Sequence, residues 1–224
     1  MPVNPTALPH PVTAEVDAAL LARWQAAGLR AVPLPGACVL LDENAWPLAQ
    51  ADLLLQALLA EIDWRALQLR MFGRSVDAPR LACWIGDADA VYCYSRTRFV
   101  PQPWTATTTR LREQLWQRLG LHFNGVLANL YRDGRDSMGW HSDDEPELGP
   151  APVIASLSFG APRTFRLRPR ARGGATLSLQ LGHGSLLLMA GRTQALYQHA
   201  LPPRTRVREP RVNLTFRQVS PSHR

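Results

Sequence analysis

The sequence predicts an α+β protein in which short strands form a sandwich or jelly roll behind a layer of helices. Three observations carry that expectation. Leu, Ala and Trp recur at helical spacing early in the chain, most apolar runs after residue 65 are short and bounded by turn residues, and residues 211–217 (RVNLTFR) alternate strictly between polar and apolar.

Taken in order, residues 1–12 (MPVNPTALPHPV) carry four prolines and read as a loose leader. Residues 13–30 (TAEVDAALLARWQAAGLR) follow as a short helix and residues 36–41 (GACVLL) as a strand. Residues 47–64 (PLAQADLLLQALLAEIDW) form a longer helix with Leu53, Leu54, Leu58 and Ile62 on roughly one face, facing the core. Strands are expected at residues 67–74, 80–86 and 91–95, a further helix at residues 106–120 (ATTTRLREQLWQRLG), and strands from there onward.

With 224 residues and 46% hydrophobic content, one domain with a sizeable core is the default. The 25 basic residues are all Arg and leave a net charge of +7, which favours a polyanionic partner because the planar guanidinium offers phosphate two parallel hydrogen bonds. Cys38, Cys83 and Cys93 are an odd set without metal-type spacing, which argues against a disulfide framework and for a reducing cytosol. The start lacks the regions of a signal peptide, and no apolar run approaches the roughly 18 residues of a membrane span. A soluble, cytoplasmic monomer, in a bacterial cytosol, is expected, with no membrane and no protein partner.

Residues 129–148 (NLYRDGRDSMGWHSDDEPEL) are too polar for a core. His141 and Asp143 stand two apart, so in an extended chain both face the same way, as two metal ligands would. His199, near the end of a strand in residues 196–202 (LYQHALP), offers a third. Two His and one Asp on one side of a ferrous ion leave adjacent positions open, the arrangement of non-haem iron oxygenases. Arg211, Asn213, Thr215 and Arg217 share one face of their strand, opposite Val212, Leu214 and Phe216. That face either lies at the surface or lines a cavity that holds an anion. A dicarboxylate chelating iron by its keto acid end needs a cationic anchor for its other carboxylate, and guanidinium matches it best. Asn129 and Tyr131, again two apart, add neutral hydrogen bonds to the same ligand.

These stretches, NLYRDGRDSMGWHSDDE, QHALP and RVNLTFR, resemble the core motifs of the AlkB family of iron and 2-oxoglutarate dependent dioxygenases. The resemblance extends over about residues 35–219, with residues 1–34 as a leader with a short helix and 220–224 as a tail. It implies a double-stranded β-helix, the jelly roll, supported by helices. It implies Fe(II) held by His141, Asp143 and His199 as the catalytic centre, 2-oxoglutarate bound by Asn129, Tyr131, Arg211, Asn213, Thr215 and Arg217, and molecular oxygen as the oxidant.

The chain also resembles the branch that repairs duplex DNA, through RMFGR and PRLACWIGDADAVYCYS. In that branch a Phe-Gly-basic hairpin enters the helix and an aromatic segment covers the lesion, which implies Phe72, Gly73, Arg74, Tyr92 and Tyr94 here. Asp144 and Glu145 sit where the family contacts the damaged base. The departures are Tyr94 where Phe is frequent and Trp84 where Tyr is frequent. The implied reaction hydroxylates N-alkyl groups of the 1-methyladenine and 3-methylcytosine type and releases formaldehyde, on alkylated DNA that is double-stranded or also single-stranded. A duplex base must be extruded to reach a buried metal. Eight further Arg in residues 163–174 and 202–211, read as loops, are expected to contact phosphate. The alternatives are the same chemistry on RNA, a catalytically silent nucleic-acid-binding module, and a zinc hydrolase, which has no use for two Arg on one strand face.

Overall fold

The structure is a computed structural model that describes residues 16–71, 74–94 and 97–220. In chain order it runs α1 (Ala18–Ala26), β1 (Arg30–Ala31), β2 (Cys38–Asp42), α2 (Leu48–Glu61), β3 (Arg65–Met71), β4 (Arg74–Gly86), β5 (Tyr92–Tyr94) and β6 (Thr97–Phe99). There follow α3 (Ala106–Leu119), β7 (Gly125–Tyr131), β8 (Met138–His141), a 3-10 turn (Pro146–Leu148), β9 (Ile154–Gly160) and β10 (Arg163–Pro169). The last elements are β11 (Leu177–Leu181), β12 (Ser185–Ala190), α4 (Thr193–Leu196), β13 (Tyr197–Leu201) and β14 (Arg211–Arg217).

The helices begin and end where the sequence supplies caps. Asp17 accepts from the Leu20 amide at 3.0 Å to start α1. Thr105 and Thr108 form a reciprocal capping box before α3, and Gly120, at φ 69°, ends it in the left-handed region where a side chain would be strained. In α2 the buried stripe is Ala51, Leu54 and Leu58, continued by Ile62 just past the end. Leu53 departs from its expected place in the core and is 67% exposed, because it lies about 100° round the helix from Leu54.

Eight strands form a large sheet in the order β1-β2-β12-β9-β14-β7-β4-β3, and four form a small one in the order β11-β10-β13-β8. Alternation along each strand divides the apolar residues between two cores. On β14, Val212, Leu214 and Phe216 point to the helical side, where Trp24, Leu58, Leu111 and Leu115 pack against them. On β12, Leu186 and Leu188 join that layer, while Leu187 and Met189 face the small sheet and meet Phe165, Leu167 and Tyr197. The helical layer therefore closes one side of the large sheet, and the space between the sheets holds the alternate residues of β7, β9 and β14.

Two loops are fastened at that space. A Cβ on Gly134 would lie 1.8 Å from the carbonyl oxygen of Arg204, so only glycine lets these loops approach. The Gly134 amide donates to Val207 O at 2.9 Å, which holds the basic 202–210 loop against residues 132–137. The expectation of a loop over residues 163–174 is corrected in its first part, since Arg163–Pro169 is strand β10. Arg163 is 1% exposed and donates to the carbonyls of Asp136 and Pro202 at 2.8 and 2.9 Å. It braces backbone and cannot contact phosphate. Among the described residues no helix is long and apolar enough to cross a membrane.

Candidate active site

β8 and β13 pair so that His199 stands opposite His141, and their imidazole centroids are 4.2 Å apart. Asp143 follows two residues after His141, beyond the end of β8, and its carboxylate reaches back between them. Its oxygens lie 3.9 Å from His141 Nε2 and 3.7 Å from His199 Nε2. The three ligand atoms lie within 4.8 Å of one another. His141 Nδ1 is 2.9 Å from the Gly139 carbonyl, which can only accept, so Nδ1 carries the proton and Nε2 presents its lone pair to the cluster.

Charge is arranged to the same end. Burial, with His141 nearby, pushes the His199 pKa down to about 3, and burial lowers that of His141 as well. Both rings are therefore neutral at pH 7, the form in which an imidazole can bind a metal. Burial alone would raise the pKa of Asp143, but Arg217, His199 and His141 outweigh it and bring it below the usual carboxylate range. Arg217 Nη2 donates to Asp143 Oδ1 at 2.7 Å.

The polar face of β14 lines the cavity between the sheets, so the surface alternative for this strand is excluded: Arg211, Asn213, Thr215 and Arg217 are each 8% exposed or less. Arg211 lies toward Tyr131, with its guanidinium carbon 5.3 Å from the ring centroid, and donates to Ser158 Oγ at 2.9 Å. Burial brings its pKa down to about 10, which leaves it charged at neutral pH. Its buried Nε has no hydrogen-bond partner among the described residues, as expected of a donor that awaits an anion. Asn213 donates to Ser156 Oγ and the Leu157 carbonyl at 2.8 and 3.0 Å and accepts from Thr215, so its amide ties β14 to β9. Asn129 and Tyr131 line the same cavity from β7.

Several functional neighbours were not evident in the sequence. Arg80 on β4, 2% exposed, donates from Nε to Asn129 Oδ1 at 2.9 Å and so turns the amide nitrogen of Asn129 away from itself. Phe165 stacks on His199 with ring centroids 5.2 Å apart. Ser156 and Ser158 carried the one available signal, since they alternate on β9 as the polar residues do on β14.

The residues expected to contact nucleic acid lie on other elements, as far as they are described. Phe72 and Gly73 lie outside the described residues. Arg74 opens β4, where it pairs with Met71, and Tyr92 and Tyr94 lie in β5. Asp144 is half exposed and pairs with Arg170 at 2.5 Å, and Glu145 is half-buried ahead of the 3-10 turn; neither lines the cavity. Trp84 is buried with Leu127, Leu148 and Val219 and donates to the Ala90 carbonyl, so it belongs to a core and not to a lesion cover.

The cavity fits a divalent ion with a dicarboxylate. Arg211 and Arg217 line the cavity with one carboxylate, Asp143, which leaves a positive excess even before a metal adds two charges, and a dianion offsets it. Two imidazoles and a carboxylate with room beside them suit ferrous iron.

Comparison with known proteins agrees. Residues 38–217 match the family model described as the 2OG-Fe(II) oxygenase superfamily. The chain is 43% identical over 184 residues to a Homo sapiens protein named "Alpha-ketoglutarate-dependent dioxygenase alkB homolog 3", covering 78% of this chain and 64% of that one. It thus spans less than two thirds of that relative's length. It is 40% identical over 184 residues to a Mus musculus protein named "DNA oxidative demethylase ALKBH2", covering 78% of this chain and 77% of that one. A solved structure described as "The structure of OsALKBH1" superimposes with a TM-score of 0.54 at 17% identity, over 85% of this chain and 99% of that one, and supports the fold alone.

Proposed function

The chain belongs to the AlkB family within the 2OG-Fe(II) oxygenase superfamily, and from that premise we propose that it is an iron and 2-oxoglutarate dependent dioxygenase that removes N-alkyl groups from damaged bases, duplex DNA being its preferred substrate. The observation that carries this reading is the convergence of His141, Asp143 and His199 with Arg211 and Arg217 on one buried cavity. In it His141, Asp143 and His199 hold the iron. Arg217, bonded to Asp143, serves the metal end of 2-oxoglutarate, and Arg211 with Tyr131 takes the far carboxylate. Asn129, turned by Arg80, offers its amide nitrogen to the same molecule, while Asn213 and Thr215 keep the polar wall in register.

Iron bound there, with 2-oxoglutarate and oxygen, supplies the oxidant that hydroxylates a C–H bond while 2-oxoglutarate becomes succinate and carbon dioxide. An N-methyl group so hydroxylated loses formaldehyde and restores the base. Around it the chain's residues act by position and exclusion. Phe165, Met189 and Leu201 wall the cavity with apolar surface, which keeps water from the ligands and strengthens the pull of both Arg. The base, extruded from its stack, is held by Tyr92 and Tyr94, with Asp144 and Glu145 favouring the positive charge of an alkylated ring. Phe72, Gly73 and Arg74 fill and flank the gap it leaves.

The test is formaldehyde and succinate release from single- and double-stranded oligonucleotides, and their RNA counterparts, carrying 1-methyladenine or 3-methylcytosine, with and without added iron. Release from the DNA duplex that requires iron and disappears in His141→Ala and Asp143→Ala supports the reading. Iron-dependent succinate from either variant removes the assigned ligands, and turnover confined to RNA removes the DNA preference.

A further inference from the structure

The ladder between β8 and β13 does not by itself fix where Asp143 stands. Its register shifts between the His199 and Leu201 pairings, and β8 stops at His141. The amide of Asp143 therefore has no strand partner, and Gln194 Oε1 accepts from it at 3.0 Å. Gln194 is 2% exposed and sits in α4, the turn that leads directly into the strand carrying His199. Since a backbone amide can only donate, this bond decides which end of the Gln194 side chain faces Asp143, and Nε2 is turned to Met189 Sδ at 3.5 Å. Ser142 adds a second tie from the same segment, its Oγ donating to the Tyr197 carbonyl at 3.0 Å.

The tie opposes a competing pull. Arg217 draws the Asp143 carboxylate toward itself at 2.7 Å, and a segment free to follow would settle into a plain ion pair away from the two imidazoles. We infer that Gln194 is a positioning residue for the metal: it anchors the main chain of Asp143 to the element that bears His199, so that the carboxylate stays within reach of an ion shared with both His. The inference rests on the iron reading above. It asks of Gln194 no contact with iron, 2-oxoglutarate or the base.

The experiment uses the full chain, free of metal and oxygen, titrated with Mn(II) and separately with Co(II), whose d–d absorption reports coordination. Gln194→Met keeps the length but lacks the acceptor; Gln194→Glu keeps an acceptor oxygen. The Met variant is expected to bind Mn(II) about 10- to 100-fold more weakly, the range for removing a group that orients a metal ligand, with an altered Co(II) band at saturation. The Glu variant is expected to recover most of the affinity. Affinity within twofold of the unaltered chain in the Met variant overturns the inference, and so does an equal loss in both variants that tracks the melting temperature of the metal-free forms. If the Met variant does not fold, Gln194→Asn, which withdraws the amide by one methylene, carries the same expected and overturning results. An unaltered chain that binds neither ion, with His141→Ala no different, shows instead that the iron reading has failed and takes the inference with it.

Discussion

Arg217 meets Asp143 through one guanidinium nitrogen, and the geometry of that fork is what Lys cannot copy. Arg217→Lys keeps the charge and is expected to weaken 2-oxoglutarate by about 1.5–3 kcal/mol, the range for a hydrogen bond to a charged group, while leaving affinity for DNA nearly unchanged. Calorimetric titration of both ligands checks it, and unchanged 2-oxoglutarate affinity would show that Arg217 serves Asp143 alone. The imidazoles give a second expectation. His199 in the folded chain titrates near 3 against an ordinary 6.5, and His141 is lowered too, so below about pH 6.5 the unfolded chain takes up protons that the folded chain refuses. Their contribution to stability is whole above that pH and is lost as pH falls toward about 3. The urea midpoint of the metal-free protein should fall steadily from pH 7 to pH 5; a flat profile would mean that neither ring is buried neutral. At this scale the sequence was informative where chemistry sits two residues apart on a strand, as in His141 and Asp143 or in Arg211 to Arg217. It was silent on Arg80 and Gln194, because neither belongs to an alternating polar pattern that spacing could disclose and the partner of each is far along the chain.

The strands and helices were legible wherever apolar period and caps agreed, as in α3 between Thr105 and Gly120. Residues 163–169 were misread because five Arg in the stretch to residue 172 hide a strand whose inner residues, Phe165 and Leu167, are the apolar ones. A charged outer face and a buried brace, Arg163, look alike in one dimension. The hairpin of β3 and β4 carries the prediction proper to an element. The two strands pair as far as Met71 and Arg74, on either side of Phe72 and Gly73. If the Phe72 ring replaces the stacking of an extruded base, Phe72→Ala should cost roughly 1–3 kcal/mol in turnover on a duplex and little on the same lesion in a single strand. Matched oligonucleotides decide this, with melting temperature measured alongside. Equal losses on both, with a large fall in melting temperature, would make Phe72 a core residue and remove the main support for duplex preference.

Taken whole, the molecule is a basic body with its cations sorted by burial. Arg166, Arg172, Arg206 and Arg208 are exposed, whereas Arg163 is enclosed. Phosphate contact by the exposed group implies that log affinity for DNA falls linearly with log salt. Arg206→Ala should reduce that slope by about 1, while Arg163→Ala should leave the slope alone and lower the melting temperature. A slope indifferent to Arg206 would move the nucleic-acid path away from the 202–210 loop. What no pattern in the sequence disclosed is the order of strands, for alternation tells which face a residue takes and nothing about its neighbour. Here β14, last of the described strands in the chain, lies in the middle of the large sheet between β7 and β9. During synthesis those two strands leave the ribosome with their facing edges bare, and nothing made earlier can cover them. The large sheet therefore closes only once residues 211–217 are in place between them. A chain cut before them is expected to be no weaker version of the protein but two open half-sheets, exposed to proteolysis and aggregation.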